Sequence, residues 1–148
     1  MSSYTLHASM FFRDNRLPLK VLHRDPEIPF SLHSHEFYEL VVVASGKGTH
    51  LLQQESRPLQ EGMVFFIKPG TVHGYADIDG LVLYDILIGE KAFTGHLADL
   101  REVSGFADVF LQENGSIPLV RLSGHQLSEI LSLVGAIKKE SEGQDYGN

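Results

Sequence analysis

The sequence predicts an all-β barrel or sandwich followed by C-terminal helices. Short apolar runs rich in Val, Leu, Phe and Ile recur between residues 21 and 88. Breaks containing Gly or Pro separate them at near-regular spacing. Beyond about residue 95 the two-residue alternation gives way to helical periodicity.

The strand candidates, in order, are Val21, Phe30–Leu32, Phe37–Ala44, His50–Gln53, Met63–Ile67 and Leu81–Ile88. The breaks are Asp25-Pro26, Ser45-Gly46-Lys47-Gly48, Arg57-Pro58, Glu61-Gly62, Pro69-Gly70 and Asp79-Gly80. Each contains a residue that fixes φ or allows it to be positive. Ala92–Phe110 is mixed and holds room for a short helix. Ser123–Glu140 reads as a full helix, with Ser123 as its cap and Gln126 in the capping-box position. Leu127, Ile130, Leu131, Val134 and Ile137 form one apolar stripe along it, and Leu133 lies off that stripe. The tail EGQDYGN is expected to fray, and the chain stops after this helix as a polypeptide cut at a linker would.

A chain of 148 residues suggests one domain, able to bury a core without staples. With no cysteine, disulfides, thiolate metal sites and cysteine nucleophiles are excluded. The formal net charge of -7 and the lack of a basic cluster argue against DNA binding by this chain itself, because phosphate contacts need Lys and Arg. No apolar run reaches the ~20 residues of a membrane helix, and the start MSSYTLHASMFFRDN does not read as a signal peptide. The expectation is a cytoplasmic protein with no membrane contact.

The stretch HSHEFYELVVVASGKG carries the chemistry. Alternation along a strand puts His33, His35, Phe37, Glu39, Val41 and Val43 on one face and Ser34, Glu36, Tyr38, Leu40 and Val42 on the other. Two imidazoles and a carboxylate on one face suit a divalent transition metal. A second segment, EGMVFFIKPGTVHGYAD, offers His73 as a further ligand and puts Tyr75 on the same face.

These two segments resemble the two cupin motifs. His33, His35, Glu39 and Gly46 stand at the spacing of the first motif, and Gly62, Pro69, Gly70 and His73 at that of the second. Three positions depart from the pattern: Glu27 and Lys68 replace a usual glycine and proline, and Asp77 a usual asparagine. The Phe37-Tyr38-Glu39-Leu40 run and the later Gly46, Gly48 and His50 narrow the resemblance to sensor domains of AraC-family transcription regulators, the rhamnose type in particular.

What the resemblance implies is an all-β cupin, a double-stranded β-helix or jelly-roll barrel, with C-terminal α-helices. Residues 1–95 would form the barrel with an N-terminal arm and residues 96–148 a helical extension, within one structural domain. Helix 123–140 would serve dimerisation, with Leu133 and Ile137 central. The implied metal ligands are His33, His35, Glu39 and His73, holding Zn, Ni, Fe or Mn if a metal is present. The implied ligand contacts add Phe37, Val41 and Tyr75. The function expected is effector sensing, a sugar being the natural ligand, in a homodimer that reaches DNA only through a C-terminal helix-turn-helix domain absent from this chain. No catalytic residue is assigned. The alternative is a stand-alone metal-dependent cupin enzyme, an isomerase or dioxygenase acting on a small sugar or acid. Phe11, Phe12, Phe65, Phe66 and Phe93 read as core, Tyr38 as packing, and His50 and His125 as structural or surface histidines.

Overall fold

The computed structural model describes residues 3–12, 17–94, 98–110 and 117–143. The described residues form eight strands: β1 (Tyr4–Leu6), β2 (Leu19–Arg24), β3 (Phe30–His35), β4 (Tyr38–Leu52), β5 (Ser56–Gln60), β6 (Met63–Ile67), β7 (His73–Ile88) and β8 (Leu119–Arg121). Three helices follow or interleave, α1 (Glu90–Thr94), α2 (Phe106–Phe110) and α3 (Gly124–Gly143). Of the tail expected to fray, residues 144–148 lie outside the described residues.

The sheet runs β1-β3-β7-β4-β6-β8, with β2 also on β7 and β5 also on β4. Its two longest strands organise it. β7 pairs through its second half with β2 and the first half of β4, as in Tyr38↔Ile88 and Val43↔Leu83. Through its first half it pairs with β3 and the second half of β4, as in His33↔His73 and Leu52↔His73. The two strands thus pass from one wall of a barrel to the other, which is the cupin architecture the motifs imply.

This passage corrects three expected breaks. Ser45–Gly48 and Asp79–Gly80 are not turns between strands but corners within β4 and β7, where the register shifts between Val43, Ser45, Lys47 and Thr49. Bulges and bends let a strand change walls without losing its partner. Glycine is needed there because the backbones touch: Gly46 has φ +80°, and a Cβ on it would stand 2.1 Å from the Gly80 carbonyl oxygen. Arg57-Pro58 also lies inside a strand, β5, where Pro58 is tolerated because β5 pairs along β4 alone.

The unbroken run Leu40-Val41-Val42-Val43 is explained by burial on both faces. Val41 and Val43 join Phe65, Ile67, Leu81 and Leu83 inside the barrel. Val42, with Leu40 beside it, lies outside, in a second core with Ile86, Phe93, Leu127 and Val134. Helix α3 covers this outer face. Its start is the capping box read from the sequence: the Ser123 Oγ accepts from the Gln126 N–H at 3.2 Å, and the Gln126 side chain accepts from the Ser123 N–H at 2.9 Å. Leu127 and Val134 are buried and Ile130 and Leu131 pack against them, each fully buried side chain contributing about 2 kcal/mol. Ile137, the last residue of the expected stripe, instead remains exposed.

Substituting Gly46→Ala is expected to lower stability by about 3 kcal/mol or more, since both φ and backbone contact oppose a side chain. Gly70→Ala is the control: its φ is +83° but nothing lies within 4 Å of a Cβ there, so a loss of about 1 kcal/mol is expected. Urea denaturation midpoints of the two variants check this.

Candidate functional site

The odd-numbered face holds in space. His33, His35, Phe37, Glu39, Val41 and Val43 are all buried, although the chain bends at Glu36-Phe37 between β3 and β4. Pairing of β3 with β7 then brings His33 beside His73, their ring centroids 4.5 Å apart.

Among the described residues, the donor atoms of His35, Glu39 and His73 lie within 4.8 Å of one another. His35 Nε2 is 2.8 Å and His73 Nε2 3.7 Å from the same carboxylate oxygen of Glu39. Both Nε2 atoms are buried, and neither makes an aligned hydrogen bond among the described residues. Their far nitrogens are engaged: His35 Nδ1 donates to the Phe37 carbonyl at 2.5 Å, and His73 Nδ1 meets His50 Nε2 at 3.1 Å. An imidazole held through Nδ1 aims its Nε2 lone pair at the centre, as metal-ligating histidines are held. These residues therefore fit a divalent transition metal. His33, the fourth ligand implied by the motif, stands outside this group, its Nδ1 donating to the Ser31 carbonyl at 2.8 Å.

His35 and Glu39 of this group open onto a cleft that is continuous with solvent. Of the residues singled out from sequence, His33, His35, Phe37, Glu39 and Tyr75 line it. Val41 and His73 do not: both are fully buried, Val41 in the barrel core and His73 behind Glu39. The N-terminal segment closes one side. β1 runs parallel to β3, and Glu36 accepts from the Ala8 N–H at 2.8 Å and contacts His7 Nδ1 at 2.9 Å. Phe11 and Phe12 then meet the Phe37 ring edge-on, so Leu6 and Phe11 reach the cleft. Phe11 is thus a cleft residue, whereas Phe65 and Phe93 are core, and Tyr38 packs on Phe66 and Phe93.

Sequence reasoning missed part of the polar lining: Arg24, Glu27 and Asp85. Asp85 is a lone carboxyl in the apolar run LVLYDILI, with the inward parity of Leu81, Leu83 and Leu87, and that was its available signal. His50, read as a lone histidine, is buried against His73.

Burial governs the protonation of the site. It lowers His73 to about 3 and His50 to about 4, so both are neutral near pH 7. It lowers His33 as well. Burial works against ionisation of Glu39, but contact with His35 and the nearby His73 outweigh it and lower the carboxyl. Burial raises Asp85 well above the usual carboxylate range, with Glu39 and Glu27 adding to the shift, and it raises Tyr75 too.

A histidine with a lowered folded-state pKa binds its proton first in the unfolded chain. His50 therefore costs nothing above about pH 6.5 and destabilises the fold as pH falls from there toward 4. His50→Gln is expected to flatten the stability–pH profile in that window, by up to about 1.4 kcal/mol per pH unit. Denaturation of both proteins at pH 7.5 and 5 gives the comparison.

Residues 21–144 match the family model of the AraC-like ligand binding domain. The chain is 26% identical over 132 residues to the HTH-type transcriptional activator RhaR of Mannheimia succiniciproducens, covering 89% of this chain and 45% of that protein. It is 30% identical over 142 residues to the HTH-type transcriptional activator RhaS of Escherichia fergusonii, covering 95% and 49%. The chain spans about half the length of the curated relatives it matches. Among solved structures, an apo ToxT variant from Vibrio cholerae strain SCE256 shares the fold at 14% identity, with a TM-score of 0.59 over 84% of this chain and 49% of that one. Among the described residues no helix is long and apolar enough to cross a membrane. The rhamnose-type resemblance read from the motifs is met by these relatives, and the chain belongs to the AraC-like ligand binding domain family.

Proposed function

We propose that this chain is the effector-sensing and dimerisation part of a cytoplasmic AraC-type transcription regulator, and that its cleft binds a small polar molecule, a sugar. The observation that carries this reading is the cleft itself. Buried polar groups converge from β3, β4 and β7 against an aromatic wall of Phe11, Phe30 and Phe37. A pocket of that kind suits a ligand with many hydroxyls and an apolar face. His33, His35, Glu39, His73 and Tyr75 would supply hydrogen bonds, and Phe37 an apolar contact. A bound metal (Zn, Ni, Fe or Mn) would sit on His35, Glu39 and His73 and would act as a Lewis acid toward ligand oxygens.

The mechanism would be a population shift. Because Leu6 and Phe11 line the same cleft, a ligand there favours one placement of residues 1–12 against the barrel over others. DNA contact belongs to a C-terminal helix-turn-helix domain absent from this chain. In this reading residues 1–95 would bind and residues 96–148 would transmit, although the second part also adds β8 to the sheet through its pairing with β6.

Calorimetric titration of the chain with a panel of monosaccharides tests the reading. Saturable binding of one of them is expected, weakened about tenfold when residues 1–12 are removed. Turnover of a sugar that needs added metal and vanishes in Glu39→Gln would overturn it in favour of the metal-dependent cupin enzyme, since a set of two histidines and one carboxylate leaves coordination positions open.

Dimerisation is assigned to the outer side of α3. Leu133 is 60% exposed and Ile137 39%, one helical turn apart. They sit off the face that covers the barrel. Leu133→Asp is expected to convert a dimer to a monomer in sedimentation analysis while the circular dichroism spectrum is unchanged; a monomeric parent would remove α3 as the contact.

A further inference from the structure

We infer that Glu27 and Asp85 make this cleft selective for neutral polyhydroxy ligands over their carboxylate counterparts, an inference that rests on the effector-binding reading. Both residues line the cleft, and Asp85 lies within hydrogen-bond reach of Glu39. Asp85 comes from β7, opposite Leu22 of β2. Glu27 follows the turn after β2, its backbone N–H donating to the Leu81 carbonyl at 2.7 Å and its Oε1 accepting from the Ile28 N–H at 2.9 Å. The side chain is thereby fixed at a position where the cupin pattern carries glycine. The departure from the motif adds a carboxyl to the site.

Two polar atoms that line the cleft are buried without a hydrogen-bond partner among the described residues, Asp85 Oδ1 and Tyr75 OH. Asp85 and Tyr75 are each 5% exposed and Glu27 is 6% exposed. A buried polar atom left unpaired is costly, so a ligand hydroxyl that pairs with it gains selectively over one that does not. Among the described residues the only Lys or Arg lining the cleft is Arg24, whose Nε lies 4.0 Å from Asp85 Oδ2 and whose side chain is half exposed. Burial keeps the Asp85 carboxyl protonated, so Glu27 and Glu39 are the two acids that face the one guanidinium. A carboxylate ligand would meet like charge in a place poorly screened by water, while hydroxyl groups can donate to each carboxyl oxygen.

The test is a paired titration without added metal: D-galactose, D-mannose and L-rhamnose against D-galacturonate and D-gluconate, with the parent chain and with Glu27→Gln. A neutral sugar is expected to bind at least tenfold more tightly than the acids. Glu27→Gln keeps the shape of the side chain and removes its charge, and it is expected to narrow that ratio at least threefold. Equal or tighter binding of an acid by the parent, or an unchanged ratio in Glu27→Gln, would sink the charge-selection inference and leave effector sensing intact. Failure of every probe, neutral and acidic, would overturn the sugar-binding reading, and this inference with it.

Discussion

The antiparallel ladder between β4 and β7 decides where Glu39, His73, Tyr75 and Asp85 point. Its register sets Val41 opposite Asp85, His50 opposite Tyr75 and Leu52 opposite His73. A slip of one residue would send Glu39 outward under α3 and bring Leu40 into the cleft, because side chains alternate. The ladder survives a change of barrel wall because Gly46 lets the two backbones close on each other at the corner, where Gly80 takes φ +59°. The site therefore depends on a corner outside it, where no polar chemistry takes place.

Holding the site also has a stability cost. His73, His50 and Asp85 are buried polar groups, and two of the site's nitrogens and one carboxyl oxygen lack aligned partners among the described residues. Each is destabilising on its own. The offset comes from the two apolar cores that flank β4, one inside the barrel and one under α3. Such a balance is common where a scaffold keeps binding groups unsatisfied until a ligand arrives.

The parts of the fold that were legible from sequence are those where periodicity and burial coincide. The alternation through His33, His35, Phe37 and Glu39 placed the site's core, and the Ser123–Gln126 pair fixed the start of α3. The corners were misread because Ser-Gly-Lys-Gly and Asp-Gly are equally good turn and bulge sequences; only the partner strand decides between them. β1 and β8 are three-residue edge strands whose residues are mostly exposed, so neither has a buried face to mark it. Arg24, Glu27 and Asp85 were missed as cleft residues for another reason. Arg24 and Asp85 come from elements outside the two motifs, Glu27 stands where the first motif usually carries glycine, and only the tertiary fold brings all three to the cleft. His33 has the residue type and spacing the motif implies; its Nδ1 is held by the Ser31 carbonyl, and it stands outside the group formed by His35, Glu39 and His73.

One strand also links the two activities proposed here. Along β4, Glu39 faces the cleft, with Val41 and Val43 in the core behind it, while Leu40 and Val42 lie in the core under α3. A ligand that draws Glu39 toward it acts on a backbone whose other face supports the helix assigned to dimer contact. Interiors are close-packed, so such a displacement is passed on by repacking rather than absorbed. Coupling between cleft and helix still requires that the ligand bind one arrangement more tightly than the other, by the ratio it is to shift. The N-terminal segment supplies such a difference, since Leu6 and Phe11 touch the cleft in the closed arrangement and would lose that contact in any other. In the proposed reading, ligand binding and arm closure would therefore favour each other, and β4 would be the element through which α3 senses both.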